Sequence, residues 1–255
     1  MQLPGNPKKQ KRDEKIGGFS SNNHSSKKQK VSLSFPFVAD YNDHFETPLI
    51  AYEDLEPILS NLAQKLQKKN NELVIYDPYY CQGRMKELLA SIGFTNVVNN
   101  NRDFYKDIKC KNIPTYDILV TNPPYSGEHK TKLLQYLKTI NKPFALLLPV
   151  YTATKSYWKD VVTASKTPPL YLLPPKSYEY DHPEGTGKEL PPFYSCWFLS
   201  HFEKEIVLNC KKKPCKVVDS VDTLIKDGYC ADKRPNPKQR KKMKEKLKIN
   251  LINVN

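Results

Sequence analysis

No stretch of this sequence is apolar enough over enough residues to cross a membrane. No secretory signal is visible, and none of the six cysteines pairs as C-x-x-C. Those absences argue against a helical membrane protein and a disulfide-stapled secreted domain, so reduced thiols in the cytosol or nucleus are expected. Cys210, Cys215 and Cys230 with His201 offer four potential zinc ligands, but their spacing is irregular and no metal site is expected. No internal repeat is present. Excess charge is missing from most of the chain: residues 33–232 hold 24 Lys/Arg and 24 Asp/Glu.

The net charge of +14 therefore sits at the two ends. Residues 1–32 contain 8 basic and 2 acidic side chains, and residues 233–248 contain 9 and 1. A neutral body with cationic arms suits a polyanionic partner, because arms can reach phosphates while the body keeps an uncharged working surface. Lys-rich ends that serve solubility or carry a nuclear address are the plainer alternative. Lys8-Lys9-Gln10-Lys11-Arg12 and Lys27-Lys28-Gln29-Lys30 are clusters of the latter kind, so a nuclear location, including the nucleolus, is expected, with the cytoplasm as alternative.

The expected organisation is a disordered basic arm over 1–32, a catalytic-type domain over 33–205, a small extension over 206–232 and a basic tail over 233–255. The arm has too few large apolar side chains to offset its ordering entropy. Order is expected to begin near Val31–Val38. Pro48 opens a helical stretch to about Lys69, with Leu55, Ile58, Leu59, Leu62 and Leu66 on one stripe. Strands are predicted over 72–77, 96–99, 117–121, 144–148, 170–173 and 192–202. Helices are predicted over 84–92, 130–139 and 157–164, with short strands at 205–208 and 216–218 and a helix over 220–226. Strands alternating with helices predict an α/β, Rossmann-like, doubly wound and mostly parallel sheet with an antiparallel strand near the C-terminal end of the core.

Thr121-Asn122-Pro123-Pro124-Tyr125 carries the most chemical information. It follows the apolar run Ile118-Leu119-Val120, hence a strand end. Proline donates no backbone hydrogen bond and fixes φ, so the pair Pro123-Pro124 holds its carbonyls in a stiff turn beside the Asn122 amide oxygen. Two acceptors next to the ring of Tyr125 suit a planar NH2 on a conjugated system, with the exocyclic amine of adenine foremost.

Over roughly residues 44–202 the sequence resembles class I S-adenosylmethionine-dependent methyltransferases of the adenine-N6 type. Tyr76-Asp77-Pro78-Tyr79-Tyr80-Cys81-Gln82-Gly83 resembles their methionine-binding loop, with Cys81 where a glycine is usual. Phe45-Glu46-Thr47-Pro48 resembles the segment that packs over the cofactor, and Asp103-Phe104 the pair that contacts its adenine. The acidic residue that holds the ribose is replaced by Asn99, Asn100 and Asn101. The resemblance implies S-adenosyl-L-methionine as cofactor, held by Thr47, Pro48, Asp77, Pro78, Tyr79, Gly83, Asp103 and Phe104. It implies a catalytic set of Asn122, Pro123, Pro124 and Tyr125, with Lys176, Tyr178, Tyr180 and Phe193 around the target base.

Methyl transfer to adenine N6 in nucleic acid is therefore the expected function, through the basic arms and with a protein partner for target recognition. Only about fifty residues follow the core, and they are basic rather than compact, which favours RNA over DNA. Two alternatives remain. One is methylation of a glutamine side-chain amide, which presents a similar flat NH2. The other is a non-catalytic nucleic-acid-binding subunit, suggested by Cys81 and the missing ribose acid.

Overall fold

The structure, a computed structural model, describes residues 45–165, 167–180, 193–208, 215–231, 238, 241 and 242, all within one compact unit. The arm over 1–32, the segment Val31–Val38, the loop 181–189 and most of the basic tail lie outside the described residues.

Seven strands form one mixed sheet: β1 (Ile75–Tyr76), β2 (Val97–Val98), β3 (Ile118–Thr121), β4 (Phe144–Pro149), β5 (Leu170–Leu173), β6 (Ser195–Ser200) and β7 (Lys216–Val218). Their spatial order is β2-β1-β3-β4-β6-β5-β7. The first four are parallel neighbours, whereas β6 runs antiparallel between β4 and β5, and β7 antiparallel at the edge of β5. Rossmann-like α/β architecture is thus present, and its antiparallel part is larger than the sequence suggests. The 206–232 stretch supplies a strand of the same sheet.

Apolar helices cover both faces, which is why β3 to β6 read as continuous hydrophobic runs rather than alternating ones. On one face Ile118, Val120, Ala145, Leu147 and Trp197 pack under α1 (Leu49–Lys65) and α2 (Met85–Ser91). On the other, Leu119, Leu146, Leu148 and Phe198 meet α3 (Phe104–Lys109), α4 (His129–Leu137) and α5 (Ser156–Ala164). The order reverses at β1: the chain first steps outward to β2, then returns past β1 to β3. A right-handed crossover in each direction puts α2 and α4 on opposite faces.

Several elements depart from expectation. α1 ends at Lys65 because Gln67 takes a left-handed φ of 56°, letting Lys68 N–H return to the Ala63 carbonyl at 2.9 Å. Without a glycine at that position the stop is invisible in sequence. Lys68 then grips both carboxylate oxygens of Asp117 at 2.8 and 2.6 Å, tying the helix end to the start of β3. α3 was not anticipated. The expected strand at 205–208 is instead a helix, α6 (Lys204–Leu208), whose Ile206 and Val207 are buried against the α1 side of the sheet. The Asn61 amide donates to the Ile206 carbonyl at 2.8 Å. α7 (Val221–Lys226) is capped by Ser220, whose hydroxyl accepts from Thr223 N–H.

Candidate active site

The carboxyl ends of β1 and β3 face one another across the point of reversal, where open α/β sheets leave a crevice. Asp77 leaves β1 there and is 6% exposed. Its Oδ1 accepts from the Thr121 hydroxyl at 2.6 Å and from Tyr79 N–H at 3.0 Å. Both donors use the same oxygen, so Oδ2 takes no hydrogen bond among the described residues. Burial pushes the Asp77 carboxyl up to about 7, and the Glu46 carboxylate adds to that, against the hydrogen bonds from Thr121 and Tyr79. Such a group is suited to a cationic or donor-rich ligand.

The loop after Asp77 keeps a glycine-type path although it has lost a glycine. Cys81 adopts φ 48° and Gly83 φ 79°. A Cβ at Gly83 would stand 2.9 Å from the far end of the half-buried Tyr80 side chain, which would have to swing aside, so the positive φ is what favours glycine here. Glu46 holds the loop from outside: its Oε1 accepts from Gln82 N–H at 2.9 Å, and its carboxylate lies near the Cys81 thiol, whose pKa burial and then that charge push far up, keeping it protonated. Asn99 holds the loop from within, its amide donating to the carbonyls of Asp77 (3.2 Å) and Tyr79 (3.1 Å). Asn99 Oδ1 is buried with no partner, and so remains an acceptor.

Beside this loop lies a cleft of about 200 Å³ whose walls include Asp77, Pro78, Val98, Asn100, Phe104 and Ile113. It is smaller than the roughly 300–1,000 Å³ of most small-molecule sites. The ion pair of Arg102 and Asp107, with bonds of 2.8 and 2.6 Å, forms part of its rim. Asp103 caps α3, its Oδ1 accepting from Tyr105 N–H (2.9 Å) and Lys106 N–H (3.1 Å). As at Asp77, one oxygen serves the protein and the other is left over. Phe104, 4% exposed, packs edge-on against Tyr79 at 5.7 Å and Tyr136 at 5.4 Å. A chain of polar contacts closes this side: the Tyr79 and Tyr105 hydroxyls lie 2.9 Å apart, and the Tyr105 hydroxyl lies 2.8 Å from His129 Nδ1.

The corner Asn122–Tyr125 starts one residue past the Thr121–Asp77 bond, and does not itself line the cleft. Asn122 Nδ2 donates to the Phe45 carbonyl at 3.3 Å, which orients the carboxamide. Its Oδ1 faces the Tyr125 hydroxyl at 2.8 Å, and that hydroxyl also reaches the Leu147 carbonyl at 3.0 Å. Burial raises the Tyr125 phenol well above its ordinary value. Its ring meets Phe193 edge-on at 5.1 Å, with Lys130 Nζ at 5.4 Å from its centroid. Pro123 is buried and Pro124 half-buried.

No family model matches this chain, and no curated protein does.

The structure brings together Thr47, Pro48, Asp77, Tyr79, Gly83, Asn122 and Tyr125 through the Phe45–Pro48 segment, which contacts both the loop and the corner. Thr47 is 5% exposed, while Pro48 stands at the N-terminus of α1. Of the expected base-binding residues, Phe193 adjoins Tyr125, and Lys176 is exposed. Tyr178 and Tyr180 are each 3% exposed and belong to the core, so neither presents a ring face to a base. Tyr178 donates to Asp54 of α1 at 2.9 Å; Tyr180 stands edge-on to Phe45. The hydroxyls of Tyr180 and Ser195 lie close enough to perturb Tyr125, but neither has a hydrogen bond of acceptable geometry. Glu46 and Thr121 hold the site from within the two motifs, where neither was given a role, and Asn99, expected only as a replacement for the ribose acid, also holds the loop. Among the described residues no three His, Cys, Asp or Glu side chains are placed to hold a metal ion, and no helix is long and apolar enough to cross a membrane.

Proposed function

We propose that this chain is an S-adenosylmethionine-dependent methyltransferase acting on adenine N6 in nucleic acid, RNA before DNA, with its basic ends as phosphate contacts and the nucleus as its place of work. The observation that carries this reading is the pairing, across the switch point, of a carboxamide whose nitrogen is fixed by Phe45 with a buried carboxylate that keeps one oxygen unused.

The residues suit the cofactor in kind. Asp77 Oδ2 would take its amino group, and Asp103 Oδ2 with the Phe104 ring its adenine. The orphaned Asn99 Oδ1 stands near the place of the missing ribose acid. When bound, the cofactor supplies an electrophilic methyl group. The chain's own task is to present the acceptor nitrogen. An aromatic amine is a poor nucleophile while its lone pair is delocalised. Asn122 Oδ1 and the Pro123 carbonyl would each accept one N–H, favouring a pyramidal nitrogen and stabilising the positive charge that develops as the N–C bond forms. The nitrogen afterwards gives up one proton to solvent. Tyr125 and Phe193 would fix the ring plane, so positioning supplies much of the remainder. A base paired in a duplex would first have to be extruded.

A second reading, a nucleic-acid-binding subunit without catalysis, draws support from the Tyr125 hydroxyl that already occupies the Asn122 oxygen. The test is incubation of purified chain and cofactor with total cellular RNA and, separately, DNA, followed by nucleoside mass analysis. With isotope-labelled methyl on the cofactor, labelled N6-methyladenosine from RNA or labelled N6-methyl-2′-deoxyadenosine from DNA supports transfer. No labelled nucleoside, with no cofactor binding at millimolar concentration, hands the fold to the second reading.

A further inference from the structure

We infer that Tyr151, with Lys155 beside it, is a stacking platform for the nucleotide next to the target base in single-stranded or locally opened nucleic acid. The identity of that neighbour as one flanking a methylated adenine rests on the reading above; the platform itself rests on its own geometry. β4 outlasts β3: Thr121 pairs with Leu146, the next carbonyl, that of Leu147, receives the Tyr125 hydroxyl, and the strand continues to Pro149. Val150 N–H then bonds the Tyr194 carbonyl at 2.9 Å, and Tyr151 stands four residues past the Leu147 carbonyl that meets the Tyr125 hydroxyl.

Among the described residues, five large apolar side chains are exposed, and Tyr151, at 41%, is the one aromatic among them. Its backbone is held rather than loose. It lies in a 3-10 turn over Val150–Thr154, where the Thr154 hydroxyl donates to the Tyr151 carbonyl at 3.0 Å. Lys155 N–H closes onto the Thr152 carbonyl at 3.0 Å, and Thr152 and Ala153 are fully buried beneath it. A fixed backbone with a free ring is what base stacking needs, since every base offers a π-face and little ordering cost remains. Lys155 Nζ lies 5.9 Å from the ring centroid, and Lys159 is exposed one turn further along α5. A phosphate between stacked bases would meet that ammonium. The Tyr151 phenol is a minor contributor, after burial and Tyr180, to the raised pKa of the Tyr125 phenol. Tyr178 and Tyr180, the aromatics expected to stack, are buried, and among the described residues Tyr151 is the exposed large aromatic.

The experiment uses the full chain and a short single-stranded oligonucleotide carrying 2-aminopurine, followed by fluorescence quenching and anisotropy. Wild type should quench the probe. Tyr151→Ala should lose the quench and about tenfold in affinity without altering the salt dependence. Tyr151→Phe should retain both. Lys155→Ala should keep the quench but flatten the slope of log K against log salt by about 0.7. Unchanged quench and affinity in Tyr151→Ala overturn the inference, as does a wild type that never quenches, which would leave the ring to a protein partner. Methyl transfer assayed in the same samples separates the two claims. Stacking through Tyr151 with no transfer retires the reaction and leaves the platform, whereas transfer with Tyr151→Ala equal to wild type retires the platform alone.

Discussion

The Tyr125 hydroxyl stands 2.8 Å from Asn122 Oδ1, so the acceptor that would take a substrate amine is occupied by a donor from its own turn. An incoming amine would either share that oxygen through its second lone pair or displace the hydroxyl, which the Leu147 carbonyl at 3.0 Å can then receive.

Removing the competitor while keeping the ring should therefore be mild. Tyr125→Phe is expected to stay within a few-fold of wild type in kcat/KM, whereas Tyr125→Ala, which loses the ring, should fall by about tenfold or more. Steady-state methyl transfer on one oligonucleotide checks both. Equal losses in the two variants would show that the hydroxyl, not the ring, matters.

Asn122→Ala should abolish transfer, by about 100-fold or more, and leave cofactor binding intact, because the lost oxygen acts on charge that exists only in the transition state. Calorimetric binding and radiolabel transfer, run separately, make the comparison. Retained transfer removes the catalytic role assigned to this corner.

Asp77 gives a pH signature. Its folded value of about 7 lies above the ordinary 3.8, so the folded chain holds this proton more tightly than the unfolded chain does. The resulting stability is complete below about pH 4 and is lost as pH rises through about 7. Wild-type melting temperature should fall across that window relative to Asp77→Asn, which cannot titrate there. Cofactor binding should show the opposite trend, strengthening toward pH 8 as the carboxylate forms, and should be lost in the variant.

The loop from Tyr80 to Gly83 supports a contrast between two substitutions. Cys81→Gly relieves a left-handed conformation that costs an L residue about 1–2 kcal/mol, less the extra entropy glycine loses, so a rise in melting temperature is expected. Gly83→Ala meets both φ 79° and the Tyr80 ring at 2.9 Å, and should destabilise by about 1–3 kcal/mol. Thermal melts of the two proteins settle the signs.

Glu46→Ala removes the acceptor of Gln82 N–H. An amide left without its partner costs about 1–3 kcal/mol, and the loss should be local. Hydrogen exchange at Gln82 should speed up while β3 and β4 keep their protection. Uniform acceleration would mean that Glu46 supports the whole fold rather than the loop.

Much of the architecture could be read from local pattern. Apolar runs of strand length between amphipathic helices announce a sheet covered on both faces, and β5 and the core of β4 fall where that pattern puts them. Gly93, at φ 97°, ends α2 as a glycine there should. The failures have local causes. Gln67 takes a glycine-like conformation without being glycine, and α3 is six residues long with its start set by one Asp103 cap. Ile206 and Val207 favour a strand by branching at Cβ, yet a helix buries them against the α1 side of the sheet.

By itself the sequence determined most of the strands and the longer helices, and that Asn122 to Tyr125 make a stiff acceptor-rich turn, since side-chain periodicity and proline's missing N–H are properties of neighbours along the chain. Only the tertiary structure decided that Thr121 meets Asp77, that Glu46 holds a loop 36 residues away, and that Tyr178 is core while Tyr151 is surface. Those outcomes depend on strand order. The order β2-β1-β3-β4 is set by how helices pack on both faces of the sheet, which no short window of sequence contains.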